Sequence, residues 1–352
     1  MNLLPVYVSV SLVLLACAPG PATATRPAAP APATGTGPTA TAPERPLPLE
    51  AIKMAYPATE AAFAPFFIAA ERGYFAEVGL ETELSLTGGG AATAALLSGE
   101  LHYSGSPATA LNAALSGALL QVIYSNSASP TSELWSTSPD VRTLADVLGK
   151  TIGVINRGDS TELAVRIALI QRGIDPEAVG YFALGVGGQR LAAIQSGAAE
   201  NVVLLLTEIA EVQETVPQAH RVLDLRQDVQ MLTGGVAANK RELTEHRERT
   251  RRFLSAVMKA REYYKAFREE TVQILAKYNQ APRAANEFSY DMSLAHMTGD
   301  ATISVEVQRR DAAVRAQVNG LTQYPPVEEL YDYSLAKEAH QVLQASGWQP
   351  TR

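Results

Sequence analysis

Ala51-Ile52-Lys53-Met54-Ala55-Tyr56, then Phe63, Phe66, Phe67, Ala70 and Tyr74, then residues 80–86: the reading of this stretch decides the fold. The first run is short and β-prone. The aromatic and alanine positions recur at helical spacing, with Gly73 at the end of that helix, and residues 80–86 alternate as a second strand does. Strand, helix and strand in succession predict a parallel pair joined by a crossover. Working outward, Gly88-Gly89-Gly90 breaks the second strand and residues 91–97 form a small-residue helix. A short strand through Leu101-His102-Tyr103, a helix over 107–115 and a strand over 119–124 complete one wound α/β unit with a largely parallel sheet.

Residues 125–139 are rich in Ser and Thr, and after them the pattern restarts. A strand is predicted over 151–155, a helix over 161–171 closed by Gly173, a strand over 179–184 and a helix over 189–195. The strongly apolar run 202–206 reads as a buried strand, followed by a helix from Glu208 and a strand near Val222. Two α/β lobes in series are expected, without a close sequence repeat. From Leu243 helices dominate, separated by Pro282, Gly320 and Pro325-Pro326. The helix over 244–267 carries Arg247, Arg249, Arg251 and Arg252, but Glu245 stands four residues before Arg249 and Glu248 four before Arg252. That spacing predicts a solvated, charge-compensated face, with Phe253, Leu254, Val257 and Met258 as the buried stripe.

Residues 3–16 are almost wholly apolar and end in Leu14-Leu15-Ala16-Cys17. A membrane span needs roughly 20 apolar residues, so this run suits a signal-peptide core. The last four residues resemble a bacterial lipobox. That resemblance implies cleavage after residue 16, diacylglycerol on the Cys17 thiol and anchoring to the lipid bilayer through it. One departure is that no Lys or Arg precedes the apolar core, which fits a start upstream of Met1. Residues 17–48 are then mainly Pro, Ala, Thr and Gly, with Arg26, Glu44 and Arg45 as the only charges. They hold too few large apolar side chains to offset the entropy of ordering and are expected to form an extended leash.

The 352 residues suffice for two ordinary domains, and a 47% hydrophobic fraction can build a core. A net charge of −7 argues against a nucleic-acid partner, which selects a basic surface. The five histidines are scattered without zinc-ligand spacing, so no metal is expected. Cys17 is the sole cysteine, which excludes an internal disulfide and removes thiol catalysis from the folded body. No cofactor is expected.

The segment Ala64-Pro65-Phe66-Phe67-Ile68-Ala69-Ala70-Glu71-Arg72-Gly73-Tyr74-Phe75-Ala76-Glu77-Val78-Gly79-Leu80 resembles the opening of the binding proteins for nitrate, sulfonate, taurine and thiamine-pyrimidine precursors. Gly88-Gly89-Gly90 and Ala95-Leu96-Leu97-Ser98-Gly99-Glu100-Leu101 continue the pattern. So do Thr151-Ile152-Gly153-Val154 with Gly158 and Ser160, Leu191-Ala192-Ala193-Ile194-Gln195-Ser196-Gly197, and Gly234-Gly235-Val236 with Arg252-Phe253-Leu254. The resemblance covers residues 52–278; the C-terminal helices match only in type. It implies a two-lobed periplasmic binding protein fold (type II), each lobe a mostly parallel sheet flanked by helices. Lobe I is expected to comprise 49–128 plus 238–352 and lobe II 129–237. It further implies a monomeric solute receptor of an ABC importer, working with a membrane permease at the outer face of the cytoplasmic membrane or in the periplasm. The same family contains a fungal thiamine-pyrimidine synthase, but that enzyme carries a cysteine-rich motif and an early histidine. Here no histidine occurs over 52–101, so no enzyme activity is expected.

Open α/β sheets bind ligands beyond the carboxyl ends of their strands, where helix N-termini present free N–H groups. The loops so placed are 57–61, 88–90 and 104–107 in the first lobe, and 156–161, 185–188 and 206–208 in the second. Candidate ligand-binding residues are Thr59, Glu60, Phe63, Gly89, Gly90, Ser104, Ser106 and Asn126, with Arg157, Ser160, Thr161, Thr207 and Glu208 from the second lobe. Arg157 is the one full cation in these loops and would clamp an anion. Glu60 and Glu208 would instead accept from an amine or ring N–H. The first reading gives a sulfonate-like or organic-acid solute, the second a pyrimidine or other heterocycle. A sensory lipoprotein without a transporter is a further alternative.

Overall fold

The computed structural model describes residues 49–185 and 188–352. The expected signal peptide, Cys17 and leash lie outside the described residues, as do Val186 and Gly187 of the 185–188 loop.

Strand β1 (Glu50–Tyr56) pairs in parallel with β2 (Leu80–Leu86) on one side and β3 (Tyr103–Ser104) on the other. Strand β4 (Leu120–Ser125) does not touch β3. Between them lies β10 (Gly235–Asn239), antiparallel to both, in the order β2-β1-β3-β10-β4. The second sheet takes β5 (Ser132–Ser136), β6 (Thr151–Val154), β7 (Gly180–Ala183), β8 (Asn201–Leu205) and β9 (His220–Asp224) in the order β7-β6-β8-β5-β9. There β5 is the antiparallel strand, between β8 and β9. The two sheets thus share one plan: four strands run the same way and a fifth is inserted against them. The two-lobed α/β expectation holds.

Three readings need correction. Residues 125–139, for which the sequence predicts no element, contain β5, which is buried on both faces. Its polar groups are matched internally: Trp135 Nε1 donates to Glu133 at 2.8 Å, Glu133 pairs with Arg226, and Ser136 Oγ donates to Asn201 at 2.9 Å. The lobe boundary at 237 falls too late, because β10 already belongs to the first sheet from Gly235 onward. A Cβ on Gly235 would stand 2.2 Å from the Tyr124 carbonyl oxygen, so this insertion requires glycine. Nor do residues 238–352 belong to lobe I alone. Helix Arg283–Ala295 packs against helix Leu206–Thr215 and sets Phe288 and Met292 on a second-lobe core cluster. Helix Val305–Val318 buries Ala312 in a first-lobe cluster and lays Val314 and Val318 on a second-lobe one.

The Arg-rich segment forms two helices, Lys240–Glu245 and Arg247–Ala266, broken at His246. Its predicted stripe is buried, Phe253 being stacked on Tyr103 with ring centroids 4.1 Å apart. Burying one such aromatic contributes about 1.5–3 kcal/mol. The charges pair differently from the i,i+4 expectation. Arg249 and Arg252 reach Glu50 of β1, Arg249 also holds Glu242, and Glu248 takes Arg251. These pairs tie the helix to the first strand.

Candidate ligand cleft

Loops at the carboxyl ends of β1, β2 and β3 meet those following β6 and β8, and a cavity of about 60 Å³ lies between them. One water needs about 10–15 Å³ on this measure, so the space suits a compact solute. An adjoining recess of about 350 Å³ shares Ala58, Glu60 and Leu205 with it. Of the sequence candidates, Glu60, Phe63, Gly89, Ser106, Ser160 and Thr161 line the cavity. Thr59, Thr207 and Glu208 line the recess, where Glu60 also shows a face.

Ser106 occupies the N-cap position of helix Pro107–Leu115, yet its hydroxyl caps nothing. It is 6% exposed and its Oγ has no hydrogen-bond partner. An unpaired buried hydroxyl costs about 1–3 kcal/mol, which a ligand atom at this point would recover. Ser104 is fully buried and points elsewhere, its Oγ accepting from the Ser106 N–H at 3.1 Å. Gly89 opens helix Gly89–Ser98 at φ +59°, and a Cβ there would stand 3.3 Å from the Asn156 side chain across the cleft. The first N–H groups of this helix have no intrahelical acceptor. Gly90 faces open space and does not line the cavity.

Glu60 joins the two lobes. Its carboxyl accepts from the Thr207 hydroxyl of the second lobe and, at 3.1 Å, from Ser289 of helix Arg283–Ala295. Burial pushes its pKa up to about 7, with Glu208 adding to the rise and Arg190 and the two hydroxyls opposing it. Glu208 is committed: it holds Arg190 at 2.8 Å and accepts from the Leu205 N–H at 2.9 Å. Arg190 Nη1 donates to the Gly185 carbonyl at 2.7 Å.

In the 156–161 loop, Asp159 accepts from the Thr161 N–H (2.9 Å), the Thr161 hydroxyl (2.6 Å) and the Glu162 N–H (3.2 Å). Its second oxygen takes the Asn156 N–H at 3.2 Å, and burial still pushes the Asp159 carboxyl up. Thr161 is therefore part of a cap as well as of the lining. Arg157 does not line the cavity: its guanidinium lies on Glu162 at 2.7 Å and on the Tyr181 carbonyl at 2.9 Å, with over half its side chain exposed. A carboxylate in the first turn of its own following helix has drawn it outward. Asn126 is likewise structural, bonding the Ala62 carbonyl, Tyr124 hydroxyl and Gly234 carbonyl where the chain crosses between lobes.

The sequence reading missed Pro57, Thr131, Ser132, Asn156, Asp159 and Thr233 as lining residues. Pro57, Asn156 and Asp159 stand in the expected 57–61 and 156–161 loops, whereas Thr131 and Ser132 lie at the start of β5, which the sequence pattern does not announce. Across the cleft, Asn112 Nδ2 donates to the Gly158 carbonyl at 2.7 Å, while its Oδ1 accepts from the fully buried Arg315 at 3.2 Å. Among the described residues no group of three or more His, Cys, Asp or Glu is placed to hold a metal ion, and neither His nor Cys lines the cavity.

Two lobes of one strand plan, closing on a small cavity at their strand ends, define a periplasmic binding-protein fold. The chain belongs to the NMT1/THI5-like family, whose description matches residues 60–270. No curated protein matches it by sequence. Among solved structures, the ligand-binding component of an ABC-type import system from Staphylococcus aureus, with zinc bound, is 14% identical; it covers 82% of this chain and 99% of its own, at a TM-score of 0.67. The alkanesulfonate-binding protein from Xanthomonas axonopodis pv. citri, bound to MOPS, is 16% identical over 82% of this chain and 97% of that one, at 0.64. A desulfurization enzyme shares the fold more distantly, at 12% identity, 83% and 99% coverage and a TM-score of 0.56.

Proposed function

We propose that this protein is the extracytoplasmic solute receptor of an ABC importer, tethered to the membrane through a lipid on Cys17, and that it captures a compact polar solute between its lobes for delivery to a permease. The observation that carries the reading is the unpaired Ser106 hydroxyl, buried in a cavity lined from both lobes. A fold shared with import-system components supports it. The sulfonate-like ligand expected from the sequence leaned on Arg157, and that support is withdrawn with Arg157 turned outward.

Native mass spectrometry of the purified full chain, followed by calorimetry on any solute it retains, tests the receptor reading. Gly89→Val should block the first-lobe side, and Ser160→Ala with Thr161→Ala should remove second-lobe hydroxyls. For the second-lobe variant, loss of a hydrogen bond of about 1.5–3 kcal/mol corresponds to roughly tenfold to a hundredfold in affinity, while Gly89→Val acts by blocking approach. If only one lobe's variants change affinity, the site lies within a single domain. For the tether, Cys17→Ser should abolish incorporation of labelled fatty acid; undiminished labelling would remove that part of the reading.

A further inference from the structure

The cavity is built without positive charge. Among its described lining residues none is Lys, Arg or His, and its ionisable groups are two carboxyls, Glu60 and Asp159, 7% and 8% exposed. In the adjoining recess Arg190 is the one cation among the described lining residues, against Glu60, Glu208 and Glu211. The three arginines carried by the cleft loops and their helices are already paired, Arg157 by Glu162 and the Tyr181 carbonyl, Arg166 by Glu162 and Glu177, and Arg190 by Glu208 and the Gly185 carbonyl.

Without side-chain cations, an oxyanion depends on helix N-termini. Asp159 already occupies that of helix Ser160–Gln171 and takes the Thr161 and Glu162 N–H groups. Pro107 removes the first N–H of helix Pro107–Leu115. What remains is uncharged: the first turn of helix Gly89–Ser98, the Ala108 and Thr109 N–H groups of helix Pro107–Leu115, and lining hydroxyls, Ser106 the buried one among them. These can satisfy a neutral acceptor, whereas a full negative charge would be buried beside two carboxyls with no counter-ion.

We infer that the cleft selects a compact, uncharged or singly cationic nitrogenous solute whose N–H groups donate to Glu60 while a neutral acceptor atom meets Ser106, and that it rejects free oxyanions. The inference rests on the receptor reading and narrows it. Glu60 suits both charge states of such a solute. With burial raising it to about 7, it can meet a cation as the carboxylate or an uncharged ring as the acid. Thr207 and Ser289 hold the carboxyl in place from the second lobe and from helix Arg283–Ala295, so the recognising group is fixed rather than mobile.

The test is calorimetry at pH 7 on the full chain in mild detergent with two probe sets: 2-aminopyridine, acetamidine and methylguanidine in one, nitrate, sulfate, methanesulfonate and acetate in the other. The expected result is binding within the first set alone, weakened at least tenfold by Glu60→Gln and partly restored in Glu60→Asp. Thr207→Val, which leaves the charge in place, should weaken it less. Ligand-free melting of each variant guards against misfolding, and Ser106→Ala supplies an independent loss at the acceptor atom. Binding of an oxyanion that Glu60→Gln leaves unchanged or tightens overturns the inference while leaving the receptor reading intact. Silence from both sets also overturns it, and the receptor reading then stands or falls on the retained-solute measurement alone.

Discussion

The two lobes share a strand order but present opposite faces to the cleft. The first offers unspent groups: the Ser106 hydroxyl without a partner and the opening turn of helix Gly89–Ser98. The second is more heavily braced, with Asp159 bonded to Thr161 at the cavity and Arg190 to Glu208 in the recess. One side keeps a buried donor unspent, and the other is braced. A binding cleft therefore need not divide recognition equally: a rigid wall limits the entropy lost when the opposite wall engages a solute.

This contrast can be broken by mutation. The largest effect is expected in the braced lobe. Glu208→Ala strands Arg190, 2% exposed, without its counter-ion, and removing one partner of a buried pair costs about 3–5 kcal/mol in chemical denaturation. A loss below about 1 kcal/mol would mean the second lobe is not braced by this pair.

Next comes Glu60, between the lobes. Its folded pKa of about 7 lies above its ordinary 4.5, so the folded state holds a proton that the unfolded chain releases. Stability should be greatest below about pH 4.5 and fall as pH rises towards 7, by about 3 kcal/mol from this group alone. Glu60→Gln should flatten that slope between the two values, and an unchanged slope would assign it elsewhere.

A smaller loss is expected from the second lobe's cap. Asp159→Ala removes the acceptor for two helix N–H groups and should cost about 0.5–2 kcal/mol. The smallest is expected in the first lobe, where Ser106→Ala deletes a hydroxyl that bonds nothing. Ligand-free stability should stay within about 0.5 kcal/mol or rise. A marked loss would show that Ser106 supports the fold and would erase the contrast.

The alternation of strand and helix was readable because apolar periodicity and glycine placement carry it, and helix Pro107–Leu115 falls where its spacing predicted. Strand β5 was not readable. Ser132, Glu133 and Ser136 look like surface residues until Arg226 and Asn201, some 65 to 93 positions away, arrive as partners. The cleft loops were legible as places, because strand ends fix them. Their side-chain roles were not, since each depends on a competitor: Glu162 for Arg157, Arg190 for Glu208. The value of Ser106 lies in having no competitor, a property that no neighbouring letter announces.

The insertion of β10 also sets an order of assembly. Every strand of the second sheet lies between Ser132 and Asp224, so that sheet can close as soon as its own segment is available. The first cannot: β3 and β4 meet only through β10, which follows the whole second sheet in the chain. Contacts so distant in sequence form slowly, and until they do, two unpaired strand edges stand open to wrong partners. The hazard of this architecture is thus one of timing. Whatever accompanies the nascent chain must shield the first half until the second has gone by.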